Sequence, residues 1–440
     1  MNVVQLDNDY ADKDSFELVE IEPFLYERDG RWHARFEDMT LSSVFQPLFS
    51  PAHQACVGME ALVRVQNSQG SHIPPPRLFS GKNRKRIVLA DRICRLLHAK
   101  NYLDLKRNDF WLSVNIAHEV AVHGRSYGPF LKEVFSKLAI RPESIVLEIM
   151  EHPVEDPLLL DSALAFYRKI GCHIALDDFG AGRSHFDRVW RLNPQIVKLD
   201  RNLIAHASKN ARIKHIFCGM VSLLQQSGSL VLVEGIESEE EAVIVLEAGA
   251  DLVQGYYFEK PGPSPSFDFK GWGNLYRKYH RNTALTEEKN HDRYALLGEA
   301  FSKGCDAIAR GSSLMDACKN LLEHPDVLRC FCLTSEGHLL GEPVFPDAAS
   351  RVSPPSLMPL IPGKARDNLF RPYLKNALRY PGKICRTRPY RSFFQDGLCV
   401  TLSRMISSEA SGYSIIFCCD IREPWQNSPE ETPETSLSSI

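Results

Sequence analysis

The chain has 440 residues, a length that suggests two or three domains, and its 44% hydrophobic and 24% charged content is that of an ordinary globular protein. A formal net charge of -3 gives no electrostatic case for binding bulk nucleic acid. No apolar run approaches the ~18 residues of a membrane-spanning helix, and the acidic N-terminus lacks a signal-peptide pattern, so a cytoplasmic location is expected. Residues 1–36 are polar and acidic and read as an extension that is ordered in part at best. From Phe45 to Pro261, eight short apolar runs follow: SVFQPLF, CVGMEALVRV, FWLSVNI, SIVLEIM, HIALDDF, IVKLD, LVLVEGI and DLVQGYYF. Amphipathic segments lie between several of them, as at Pro157 to Ile170, Asn202 to Gln226 and Ser238 to Ala248. This alternation predicts parallel strands with crossover helices. Eight such strands fit a TIM-like (β/α)8 barrel over 37–263, with a doubly wound sheet as the alternative.

The Pro- and Gly-containing stretch PGPSPSFDFKGWG, Pro261 to Gly273, reads as the end of the barrel domain, and a linker and connecting helix are expected over 264–300. Over 301–424, helices followed by hairpin patterns predict a smaller α+β domain. The tail 425–440 is rich in Pro, Ser and Glu and reads as disordered. The 12 cysteines are scattered without a CxxC pair and read as buried reduced thiols. Cys330 and Cys332 are expected on one strand face, and Cys418 and Cys419 near a sheet end; a redox or metal sensor is the alternative to plain core thiols.

Polar residues stand at or near the ends of the candidate strands: Gln46, Glu60, Arg64, Asn115, Glu148, Glu151, Asp177, Asp178, Lys198, Asp200, Glu234, Glu237 and Gln254. Taken singly, Asn115 reads as a turn residue and Asp200 as a helix cap. Lys198 reads equally as half of a structural ion pair. The adjacent Asp177 and Asp178 are harder to explain, because like charges ~5 Å apart at an effective dielectric near 20 cost roughly 3 kcal/mol. Glu60 lies in an otherwise apolar strand, where an unpartnered carboxylate costs several kcal/mol or becomes protonated. Together they make a hard-oxygen set suited to Mg²⁺ or Mn²⁺ at a barrel mouth. Two such ions suit phosphate-ester hydrolysis, with Lys198 orienting or helping to deprotonate the attacking water. Arg64 can clamp a phosphate oxygen, while Gln46 and Gln254 can read a base or ribose.

These residues lie in an ordered series of strings: FQPLF at Phe45, EALVR at Glu60, SVNI around Asn115, EIME at Glu148, DDFGAG at Asp177, VKLD at Val197, VEGIES at Val233 and VQGYYFEKP at Val253. In them the chain resembles the EAL-domain phosphodiesterases that act on cyclic di-GMP. The resemblance implies a TIM-like barrel of the EAL type that hydrolyses cyclic di-GMP to linear pGpG with two Mg²⁺ or Mn²⁺ ions, and a homodimer formed through the barrel. It implies that Glu60, Asn115, Glu148 and Asp177 hold one ion, and that Asp177 and Asp178 contribute to the second. Lys198 then contacts the catalytic water, and Glu234 assists the metals or acts as base. Gln46, Arg64 and Gln254 correspond to substrate- or site-ordering positions, and Glu151 to the acid that tethers the loop after the acid pair. That loop departs from the family pattern at Ala181, Arg183 and His185. The segment LFSGKNRKRIVLADR is unusually basic and reads as a solvated helix face, with a partner site as the alternative. The C-terminal domain resembles PAS/Cache-like sensors, and an unidentified small ligand there is a further expectation. The alternatives to an enzyme are a catalytically silent cyclic di-GMP receptor and an EAL-based interaction protein.

Overall fold

A computed structural model of the chain describes residues 16–81, 83–106, 109–117, 120–121, 130–150, 157–181, 186–346, 368, 371–391, 398–407 and 412–423. The chain divides into two compact units, Met1–Arg281 and Asn282–Ile440.

Among the described residues the first unit holds eleven strands: β1 (Leu25–Arg28), β2 (Arg31–Phe36), β3 (Met39–Ser50), β4 (Ala55–Gln66), β5 (His72–Ile73), β6 (Trp111–Asn115), β7 (Ile145–Met150), β8 (His173–Phe179), β9 (Ile196–Leu199), β10 (Leu230–Val233) and β11 (Leu252–Val253). Their order is β1-β2-β3-β11-β10-β9-β8-β7-β6-β4-β5, and β3 also pairs with β4. That pairing closes β3, β4 and β6 to β11 into the expected eight-stranded barrel. One strand departs from the all-parallel expectation: β3 runs antiparallel to both β4 and β11. Only residues 51–54 join β3 to β4, closed by a bond from the Gln54 amide to the Pro51 carbonyl. A parallel pair would need a crossover of a dozen residues or more.

Side chains alternate between the two faces of a strand, and this builds the barrel interior in layers. Leu48, Val146, Ala175, Ile196, Leu232 and Leu252 form one buried apolar cluster. Each stands two residues from a polar one on the same face: Gln46, Glu148, Asp177, Lys198, Glu234 and Gln254. The apolar layer thus plugs the barrel beneath a polar layer.

The expectation of an extension over residues 1–36 is corrected for 16–36. Leu18–Ile21 is a helical turn, and the sheet is extended by β2 pairing with β3 and β1 with β2. Phe16, Ile21, Ala34 and Phe36 are buried. Acidic composition masked a strand in which exposed Arg35 alternates with buried Ala34 and Phe36. In the basic segment, Arg86 forks onto Glu37 at 2.7 and 2.8 Å, while Arg84 is exposed.

The second unit carries an antiparallel sheet of β12 (Val327–Thr334), β13 (Leu339–Val344), β14 (Cys385–Arg386), β15 (Tyr390–Arg391), β16 (Leu398–Ser407) and β17 (Ser414–Glu423). One face packs against Phe301, Ile308 and Leu321, and the other against Tyr373, Leu374 and Ala377. This is the expected α+β arrangement. The unit boundary at 281/282 falls within the helix Trp272–Ala309, inside the stretch read as a linker. Cys330 and Cys419 are cross-strand partners. Cys418 and Cys419 are fully buried mid-strand rather than near a sheet end. All twelve cysteines are free thiols. Burial pushes the Cys330 and Cys418 thiols well above their ordinary range, as suits core residues. No helix among the described residues is long and apolar enough to cross a membrane.

Candidate functional site

Strand register gathers the polar layer. Gln46 lies opposite Glu60, Asn115 opposite Glu148, and Met150 opposite Asp177. At the centre is Lys198 on β9, whose side chain is 1% exposed. Its Nζ lies 2.6 Å from Glu234 Oε1, 2.8 Å from Glu148 Oε2, 3.0 Å from Asp177 Oδ1 and 3.6 Å from Glu60 Oε1. Asn115 Nδ2 donates to Glu60 Oε1 at 3.2 Å, and Gln254 Nε2 to Glu60 Oε2 at 2.9 Å. Ser113 Oγ donates to Glu148 Oε1 at 2.5 Å. Gln46 Nε2 donates to the Glu259 carbonyl at 3.2 Å.

Asp178 adopts a left-handed conformation (φ 56°) and donates its amide to Asp177 Oδ1 at 3.0 Å. Asp178 thus sits at an irregularity inside β8, where the register with β9 shifts between Leu176 and Phe179. Gly180 follows with φ 100°, a conformation that favours glycine, and a Cβ there would also press on the Leu203 side chain. Ligand atoms of Asp177, Asp178 and Glu234 all fall within 4.8 Å of one another.

A cavity of about 190 Å³ opens here, lined by Glu60, Asp178, Glu234 and Gln254 and also by Arg201 and Tyr256. Arg201 and Tyr256 were not in the sequence-derived set. Arg201 follows Asp200 and Tyr256 stands two residues beyond Gln254, both past the strand ends. Arg64 shares a strand face with Glu60 but does not line this cavity; its Nη1 donates to the Val63 carbonyl. Asp200 caps the helix Arg201–Ala207, as its single-residue reading held, and also lines the cavity. Glu151, Arg183 and His185 lie outside the described residues. Ala181 is exposed, and its amide donates to the Asp178 carbonyl at 3.2 Å.

Four carboxylates here face one ammonium, and Asp178 adds a fifth acid beside them. Burial opposes the charge on Lys198, but Asp177, Glu148, Glu234 and Glu60 overcome it and hold the ammonium well above its ordinary value. Burial raises Glu148 well above the carboxylate range, and Glu60 raises it further. Burial lifts Glu234 to about 8, with Lys198 opposing in part. Asp178 is raised by burial and by Asp177. Glu60 is the exception: burial pushes it up, but Lys198 and the Gln254 hydrogen bond bring it below its usual value. The metal-free site therefore holds protons at neutral pH.

That retention has a measurable sign. Glu234 is raised from 4.5 to about 8 on folding, so its contribution to stability is complete below the unfolded value and is lost as pH rises through about 8. Thermal unfolding of the chelator-treated protein between about pH 6 and about pH 9 should show a falling Tm, and added Mn²⁺ should reverse the fall. A flat profile would contradict the raised carboxylate.

The donor chemistry fits a hard divalent cation. The ligand atoms are carboxylate and amide oxygens, and the one close group of three or more potential ligands among the described residues contains no His or Cys. Gln254 Oε1 is buried without a hydrogen-bond partner among the described residues.

Residues 30–261, more than half of the chain, match the EAL domain family. The chain belongs to that family. Among EAL relatives, the cyclic di-GMP phosphodiesterase RocR of Pseudomonas aeruginosa is 26% identical over 228 residues, covering 51% of this chain and 58% of RocR. The EAL-domain containing protein YkuI of Bacillus subtilis is 29% identical over 222 residues, covering 49% of this chain and 54% of YkuI. The matched part thus spans little more than half the length of these two relatives. The crystal structure of YkuI, in complex with substrate c-di-GMP and calcium, superposes with a TM-score of 0.71 at 24% identity, over 87% of this chain and 96% of YkuI. The fold common to the two proteins therefore extends beyond the EAL barrel.

Proposed function

We propose that this chain is a divalent-metal-dependent phosphodiesterase that hydrolyses cyclic di-GMP to linear pGpG. The observation that carries the reading is the convergence of Glu60, Glu148, Asp177 and Glu234 on Lys198, with Asn115 bonded to Glu60. RocR is a named cyclic di-GMP phosphodiesterase, and YkuI was crystallised with c-di-GMP and calcium.

Glu60, Asn115, Glu148 and Asp177 would hold one Mg²⁺ or Mn²⁺, and Asp177 and Asp178 would contribute to a second. Bound divalent ions supply Lewis-acid activation of water and offset charge on the attacking and leaving oxygens. In the reaction, the water oxygen joins phosphorus, one P–O bond of the ring breaks, and the departing sugar oxygen takes a proton from solvent, which balances the one the attacking water gives up. Lys198 is fixed as an ammonium, so it acts as a donor that orients the water and faces the charge developing on the phosphoryl group. With divalent ions bound, Glu234 would be ionised beside Lys198 and would accept the water's proton. Gln46 and Gln254 hold the substrate at the mouth, with Tyr256 as an added aromatic contact. By the family resemblance, Arg64 would order the substrate or the site, and Glu151 the loop after the acid pair.

The test is purified protein with cyclic di-GMP and Mg²⁺ or Mn²⁺, with pGpG followed by chromatography. Product formation is expected. Binding without product under both metals would favour a receptor, a reading that the intact acids and Lys198 do not support. The same reading includes two further parts. Association of two chains through the barrel is supported by Trp190 and Leu158, which are 72% and 77% exposed. Control of the barrel by a PAS/Cache-like second unit is supported by its separate α+β core. The twelve free thiols suit a reducing, cytoplasmic setting.

A further inference from the structure

The helix Arg84–Asp104 lies behind the barrel wall and carries a buried ionic stripe that the site chemistry does not use. Asp91 is 2% exposed and forms an ion pair with Arg95, itself buried. The neighbouring Arg92 is also buried and donates to the Phe16 carbonyl. Both guanidinium groups sit over the Phe130 ring, at 5.0 and 5.5 Å from its centroid. Asp91 Oδ1 accepts the backbone N–H of Ala117 at 2.9 Å.

Ala117 is two residues beyond Asn115, where β6 ends. The residue between them, Ile116, donates its amide to the Glu148 carbonyl at 3.0 Å. The Ala117 carbonyl then accepts the amides of Val120 and Ala121, both at 2.9 Å. The segment carrying Asn115 is therefore held on two sides, by the backbone of β7 and by the Asp91 carboxylate. Asn115 in turn donates to Glu60.

We infer that Asp91 is a positioning residue: through the Ala117 amide it fixes Asn115, and so sets how tightly the Glu60 side of the site holds a divalent cation. This rests on the metal-dependent reading above. A buried ion pair is weak grounds for stability, since apolar replacements of similar volume often do as well. The bond to Ala117 is different, because it aims one carboxylate oxygen at the segment bearing a site residue. Groups bonded directly to metal ligands typically change metal affinity or activity ~10–100-fold when lost, and Asp91 acts one link further out, through the backbone that carries Asn115.

The test uses two double variants of the full chain, D91N/R95M and D91L/R95M. Both remove the buried charge pair, and only the first keeps an oxygen for the Ala117 amide. Folding is checked by circular dichroism and Mn²⁺ affinity by calorimetry. D91L/R95M should fold and bind Mn²⁺ roughly 10–100-fold more weakly than the parent, while D91N/R95M stays within about 3-fold. Equal affinities in the two variants overturn the inference, whether both match the parent or both fall. Failure of D91L/R95M to fold also overturns it, because Asp91 would then be structural. A parent that binds no Mn²⁺ removes the proposed function together with this inference; a parent that binds it beside two equal variants removes the inference alone.

Discussion

Replacing Lys198 by alanine is expected to abolish most turnover while leaving much of the nucleotide binding. Its Nζ contacts Glu234, Glu148 and Asp177 at 3.0 Å or less, and Glu60 at 3.6 Å. Removing one partner of a buried ion pair typically costs ~3–5 kcal/mol, because the remaining charge is left uncompensated. Here several carboxylates lose their common cation together. They answer by taking up protons, so the metal-free variant should be most destabilised at high pH, where that escape closes. A divalent cation replaces the missing positive charge, and the Tm deficit should shrink as Mn²⁺ is added. Catalysis should not recover with it. An ammonium aimed at the water and the phosphoryl oxygens acts where charge develops, and such groups contribute roughly 10²–10⁴-fold. We therefore expect kcat to fall by about that factor, with the Kd for cyclic di-GMP, measured under Ca²⁺, changing by far less. Equal losses in kcat and binding would assign Lys198 a structural role instead.

Most of this site was legible in the sequence because its residues are costly where they stand. A glutamate inside GMEALVRV, a lysine closing an apolar IVKL and two acids ending IALDDF all oppose the strands that carry them, so their persistence points to a shared purpose. The apolar residue two places before each of Glu148, Asp177, Lys198, Glu234 and Gln254 shows the same layering in one dimension. Direction was less visible. Alternation with period two reads the same forwards and backwards, so β3 looked like any other barrel strand, and only the four residues before Ala55 betray its reversal. Residues 16–36 were hidden by their charge, which dominates composition even though Ala34 and Phe36 enter the core. Arg201 and Tyr256 were missed for a third reason. They stand past the strand ends, where an arginine or a tyrosine breaks no pattern, and only the closed barrel brings them to the cavity. Asp91 escaped in a similar way, since an Asp and an Arg four apart read as a surface helix pair until burial is known.

Glu60 to alanine should produce the largest loss of metal binding. Both oxygens of this carboxylate are engaged, one by Asn115 Nδ2 and the other by Gln254 Nε2, and Lys198 stands behind it. It is also the acid of the group whose pKa lies below its usual value, whereas burial raises Glu148 and Glu234. An incoming divalent ion therefore meets Glu60 as a formed anion and has no proton to displace there. Truncation removes that anchor and strands two amide donors in a buried pocket, at about 1–3 kcal/mol each. A metal ligand supplies several kcal/mol of transition-state stabilisation, and each 1.36 kcal/mol is tenfold in rate. Turnover should accordingly drop by at least about 10³-fold, and Mn²⁺ affinity measured by calorimetry should fall with it. Glu60 to glutamine separates charge from shape. It keeps the volume and one acceptor, so it should fold with a near-parental Tm yet bind Mn²⁺ more weakly, since a neutral oxygen replaces an anionic one. If the alanine variant keeps full activity, Glu60 is not a ligand. If the glutamine variant binds Mn²⁺ as the parent does, the contribution of Glu60 is the hydrogen-bonded scaffold around Asn115 and Gln254, and the anionic anchor lies with Asp177 and its neighbours.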